Sequence, residues 1–132
     1  MGEFDFLAVA LGALAFFVVG MLWYGVLFGK LWRRSARLTE EALHSGNMPL
    51  IFALTFLFEL LIASTLWHGI ERSGASARAT MLMATGFGAT VMVPALGIHY
   101  LYLRKTLAHF LIDSGHIVTG MAAMGGVFLL FR

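Results

Sequence analysis

Four long apolar runs, Phe6 to Phe28, Met48 to Ile70, Ala79 to Leu103 and Leu107 to Phe131, take up almost the whole of this chain of 132 residues. Each reaches or exceeds the roughly 20 residues that an α-helix needs to cross ~30 Å of hydrocarbon. With 60% hydrophobic and only 12% charged residues, against about 25% charged in soluble domains, the runs read as membrane spans. Too little chain remains between them for a soluble domain. The expectation is one membrane domain over residues 1–132, all-α, with spans at about 6–28, 48–70, 79–103 and 107–131.

The first run is read as a retained span. Glu3 and Asp5 precede it where a signal peptide would carry basic residues, and its apolar stretch is too long for one. The chain has no cysteine, which excludes disulfides, thiolate metal sites and cysteine nucleophiles. The net charge of +2 does not point to nucleic acid, because the basic residues sit in short connections beside spans and form no stripe on a soluble fold. Lys30, Arg33, Arg34, Arg37, Arg104 and Lys105 lie in the first and third connections, and Arg72, Arg78 and Arg132 on the other side. By the positive-inside rule the first and third connections are cytoplasmic and both termini outside.

Short connections make neighbouring spans antiparallel, so the expected architecture is an up-and-down four-transmembrane-helix bundle. Trp23, Tyr24, Phe28 and Trp32 form the aromatic belt at the inner end of the first span. Thr39-Glu40-Glu41-Ala42-Leu43 reads as a short interfacial turn capped by Thr39. Pro94 should kink the third span. Pairs of small residues, Ala84 with Gly88 and Ala122 with Gly126 among them, have the spacing that lets helices approach closely in lipid.

Several stretches together resemble a bacterial membrane family known as domain of unknown function 1761. They are Gly20-Met21-Leu22-Trp23-Tyr24, Leu27-Phe28-Gly29-Lys30 with Trp32, Leu38-Thr39-Glu40-Glu41, Gly97-Ile98-His99-Tyr100-Leu101, and Phe110-Leu111-Ile112-Asp113-Ser114-Gly115-His116. Trp23, Tyr24, Phe28 and Gly29 are the most specific part. The chain departs from the family at Gly25-Val26, where proline is frequent, and at His99, where asparagine is. The resemblance implies a small four-span protein of a bacterial inner membrane and supplies no activity.

Function therefore has to be sought in the polar residues inside the spans, where a charge costs at least ~2.5 kcal/mol. His109, Asp113 and His116 fall within a ~100° arc of one helix. His99 shares an arc of the third span with Thr85, Gly88 and Met92, and Glu59 lies one turn from Thr55 on the second. If these faces meet, Glu59, His99, Asp113 and His116 form one cytoplasm-facing pocket for a small ligand, a proton or an ion. His109, Asp113 and His116, completed by Glu59 or His99, also have the donor types of a divalent metal site. Met81, Met83, Met121 and Met124 invite copper(I) but lack a compact motif and read as packing.

Two other roles use the same residues. The cluster can serve only to fix helix packing in a structural or accessory subunit, or it can belong to proton- or ion-coupled transport through a homo-oligomer. The oligomer is expected from the small size of the bundle. No nucleotide fingerprint, metalloprotease helix or serine–histidine–carboxylate set is present, so an enzyme is the least supported class; Asp113 with His116 is the one acid–base pair left for it. The sequence names no cofactor and no protein partner besides the lipid bilayer.

Overall fold

The computed structural model describes residues 5–36 and 46–131. The turn expected at Thr39–Leu43, and His44 beside it, lie outside them. Among the described residues every regular element is helical: α1 (Phe6–Leu22), continued by a π-helical turn (Trp23–Leu27), α2 (Gly29–Ala36), α3 (Met48–Ser73), α4 (Ala77–Phe87), a second π-helical turn (Gly88–Met92), α5 (Val93–Leu103) and α6 (Leu107–Leu129). α1 with its π turn, α3, α4 through α5, and α6 are each long and apolar enough to cross a membrane. They form an up-and-down bundle.

Helix ends are set by local chemistry. The side chains of Asp5, Asn47, Ser76 and Thr106 accept hydrogen bonds from the backbone N–H three residues on, capping α1, α3, α4 and α6. Pro49 sits in the first turn of α3, where its missing N–H has no intrahelical partner to lose. α3 closes on Gly74 in the left-handed conformation, the usual work of glycine. Arg104 makes the same closure for α5 at φ 58°, where a side chain is strained.

α1 packs on both α3 and α6, α6 packs also on α4 and α5, and a thinner contact between α3 and α4 closes the ring, so the antiparallel α1–α6 pair is the main seam of the bundle. Small residues bring these helices together. A Cβ on Gly12 would lie 2.5 Å from the Phe128 ring, and one on Gly120 would lie 2.9 Å from Phe16, so each glycine is the recess that receives the facing aromatic. Phe128, Met121 and Met124 of α6 are fully buried, as are Ala13 of α1 and Ile70 of α3, and the Trp67 ring of α3 meets Phe128 edge-on. The outer faces are the reverse: Leu54, Leu57, Phe58 and Leu61 are all exposed on α3. Water would not tolerate so wide an apolar surface on a monomer. A bilayer accommodates it.

Both π turns replace structure that the sequence reads as plain α-helix. The second falls immediately before Pro94, whose ring clashes with the carbonyl four residues back in a regular helix; the Val93 N–H instead reaches the Gly88 carbonyl five residues back. The expected kink is taken up as a widened turn. The first ends at Phe28, whose N–H reaches the Trp23 carbonyl at 2.7 Å, and the Phe28 carbonyl then accepts from Trp32 to begin α2. A Cβ on Gly29 would collide with the Tyr24 carbonyl. Gly29 is therefore what lets the chain pass from the π turn into α2. Gly29→Ala is expected to cost between about 1 and 3 kcal/mol of unfolding free energy in mixed micelles, whereas Gly25→Ala, whose Cβ meets nothing within 4 Å, leaves the midpoint unchanged.

Candidate functional site

Asp113 projects from the second turn of α6, roughly 9 Å from that helix's start, and is 7% exposed. A carboxyl group at that depth needs partners from the protein, because hydrocarbon supplies none. The Tyr24 hydroxyl donates to Asp113 Oδ1 and the Tyr100 hydroxyl to Oδ2. His109 Nε2, one turn back on α6, lies 3.3 Å from Oδ2. Three spans thus meet at one side chain: the π turn after α1, then α5, then α6.

Aromatic rings wall the junction. Trp32 of α2 stacks on His109 at 5.4 Å and 30°, and Tyr100 lies over the same imidazole at 5.3 Å. Tyr24 contacts Trp32 edge-on. Beside it the Trp23 indole N–H donates to the Ile112 carbonyl at 2.9 Å, with its ring seated against Gly115, where a Cβ would come within 2.7 Å. Two consecutive aromatics, Trp23 and Tyr24, can both reach α6 because the π turn packs more residues into each turn than an α-helix does. The amphipathic α2 folds its Trp32 back over this end of the bundle.

His116 lies one turn deeper on α6 and faces α1. Its ring meets Phe16 and Tyr24 edge-on at 5.2 and 5.0 Å, and a Cβ on Gly20 would be 3.0 Å from its Nε2. That nitrogen is buried and has no hydrogen-bond partner. Glu59 is also buried, 5% exposed, with Oε1 unpartnered. It sits on α3 one turn beyond Phe56, a residue that packs on Phe17 of α1. Both oxygens of Asp113 thus have donors, while Ser114 Oγ, His116 Nε2 and Glu59 Oε1, all beyond it in the bundle, have no partner.

The residues expected from sequence to share one pocket are distributed differently. His109 and Asp113 are together. His116 is beside them, joined through Tyr24 rather than through a common ligand position. Glu59 belongs to the α3 face, and His99 is exposed on α5. Among the described residues no three histidine or carboxylate side chains converge on a point that would hold a metal ion. The position of His99 follows from the second π turn, which adds a residue to that turn and advances the register behind it. His99 would align with Gly88 in an unbroken α-helix; here Gly88 packs on Met121 of α6 and Tyr100, the next residue, reaches Asp113.

Tyr100 is the site residue that sequence reasoning missed. The available signal was composition: the chain has three tyrosines, Tyr24, Tyr100 and Tyr102, and all three lie at the same end of the bundle as Asp113. Trp32, expected in the aromatic belt and in the family pattern, stacks on His109 of the site. Of the four motif residues, Tyr24 bonds Asp113, Trp23 bonds α6, and Phe28 with Gly29 makes the exit turn that positions both.

The chain belongs to the family described as "protein of unknown function (DUF1761)", which matches residues 7–129. No curated protein and no solved structure matches it.

Tyr24→Phe and Tyr100→Phe should each lower unfolding free energy by about 1 kcal/mol, within the range of interhelical hydrogen bonds in membranes. The double variant should lose more than the sum, since Asp113 is then left with His109 alone. Tyr102→Phe, at a side chain 86% exposed, should change nothing in the same mixed-micelle titration.

Proposed function

We propose that this DUF1761 protein is a proton-exchanging membrane protein, in which Asp113 accepts and releases a proton at the basic end of the bundle and His116 and Glu59 are stations deeper in the membrane. The observation that carries this reading is that two ionisable groups, His116 through Nε2 and Glu59 through Oε1, are buried without a hydrogen-bond partner, with the unpartnered Ser114 hydroxyl between Asp113 and His116 on α6. Satisfying packing alone would leave neither, since an unbonded buried polar group costs free energy. The groups facing Asp113 are the Tyr24 phenol from the first span, the Tyr100 phenol from α5 and the His109 imidazole from its own helix. Each can donate a hydrogen bond, and imidazole can also carry the proton.

In this reading the basic end, with Lys30, Arg33, Arg34, Arg104 and Lys105, faces the cytoplasm of a bacterial inner membrane. Exchange is then with the cytoplasm. Residues 60–67, 79–98 and 117–131 contain no Asp, Glu, His, Lys or Arg, so one chain offers no further station toward the opposite face. Complete transport accordingly belongs to a homo-oligomer, with the remaining path between protomers. A small organic ligand has less support, because Asp113 has both oxygens occupied by protein donors.

A second reading is favoured by that same saturation. Asp113 would be a structural tie holding α5 and the exit of α1 on α6, in an accessory subunit without proton chemistry. Infrared difference spectra of the protein in lipid bilayers, between about pH 5 and 8, separate the two. Proton exchange predicts a pH-dependent carboxyl C=O band that Asp113→Asn or Glu59→Gln removes while the helical amide bands persist. A tie predicts no carboxyl band that moves with pH, and an Asp113→Asn protein that is only less stable.

A further inference from the structure

A groove of about 460 Å3 runs between α5 and α6 on the lipid-facing side of the bundle. Its wall is apolar over most of its length, with Pro94, Gly97, Leu101 and Phe110, and it ends at Lys105 and Thr106 in the connection between the helices. From Pro94 to Leu101 the groove follows about 10 Å of α5, about two thirds of the depth of one leaflet in a ~30 Å hydrocarbon layer. The apolar length therefore suits the upper part of an acyl chain lying along the bilayer normal, and the cationic end falls where a headgroup would be.

The charge at that end is available. Lys105 and Arg104 are both exposed, and among the described residues neither has a carboxylate partner. Arg104 is held in the left-handed conformation that closes α5, which carries the chain round to Lys105 and α6. The first N–H groups of α6, capped only in part by Thr106, put the positive end of that helix's dipole at the same place. A groove of larger volume, about 560 Å3, between α3 and α4 makes the contrast. It has no charged residue, and the hydroxyl of its Thr65 is bonded back to its own helix at Leu61.

We infer that the α5–α6 groove is a binding site for an anionic phospholipid of the basic-end leaflet, with one acyl chain against Gly97 and Phe110 and the phosphate at Lys105. Gly97 makes the room: a Cβ there would lie 3.2 Å from the Phe110 ring, so a larger residue closes the slot. Tyr100 lines the groove and donates to Asp113 from its hydroxyl. The seated chain therefore packs on the ring that holds the junction. The inference is independent of proton exchange at Asp113.

Native mass spectrometry of the protein released from bilayers containing equal phosphatidylglycerol and phosphatidylcholine reads the preference directly. Wild type is expected to retain phosphatidylglycerol over phosphatidylcholine. Lys105→Gln should lower that preference about fivefold, the equivalent of the ~1 kcal/mol that one basic residue contributes at a membrane surface. Ile98→Trp, which fills the groove from an exposed position and spares the helix contact, should lower it as far with every charge in place. Arg72→Gln, at the opposite end, should leave it unchanged. No preference in wild type overturns the site. So does a preference that Ile98→Trp leaves intact or that Arg72→Gln also removes, since either means surface charge alone.

Discussion

Asp113 is a carboxyl group at a depth where the surrounding solvent has no hydrogen bond to offer, and the arrangement of three of the four spans follows from supplying it. Water would satisfy such a group at no cost to the fold. In hydrocarbon the donors have to come from neighbouring helices, and the two phenols and the imidazole that serve are each on a different turn of chain. The exit of the first span, the end of α5 and the start of α6 are thereby brought to one level. Packing then fits around that junction, with Gly12 and Gly120 receiving Phe128 and Phe16 across the α1–α6 contact and Gly115 receiving the Trp23 ring.

The two π turns are what make the junction geometrically possible. Each lies in a span that contributes a tyrosine, and each changes which side chain faces α6 from that point onward. In the first span the widened turn lets Trp23 bond the α6 backbone while Tyr24 bonds the α6 side chain. In the third it exchanges His99 for Tyr100. A residue inserted into a helical turn costs little locally and re-aims everything after it, which is why such turns concentrate near functional groups. Pro94 gives the second its cause, and Gly29 gives the first its exit.

Much of the architecture was legible in the residues. Hydropathy and run length were enough for four spans, because membrane thickness is a fixed ruler, and short connections were enough for their up-and-down order. Asp113, His109, His116 and Glu59 could be singled out because ionisable groups are rare in hydrocarbon. Their grouping was not legible. It rests on helical register, and a helical wheel assumes an unbroken 100° per residue, which both π turns violate. The role of Tyr100 was not legible for a related reason: at the end of a span a tyrosine is as common in a belt as in a site, and its role is decided by which way one turn is rotated. The family pattern carried Trp23, Tyr24, Phe28 and Gly29 without saying that they form a single device.

The most direct test of the Asp113 junction is solid-state NMR of the protein in lipid bilayers, with carbon-13 in the aspartate carboxyls and the tyrosine rings. Through-space cross-peaks are expected from the Asp113 carboxyl carbon to the hydroxyl-bearing ring carbons of both Tyr24 and Tyr100, assigned by loss of one peak in each Tyr→Phe variant. A spectrum in which Asp113 correlates with neither ring would contradict the junction, and the three spans would have to be held at that level by packing alone.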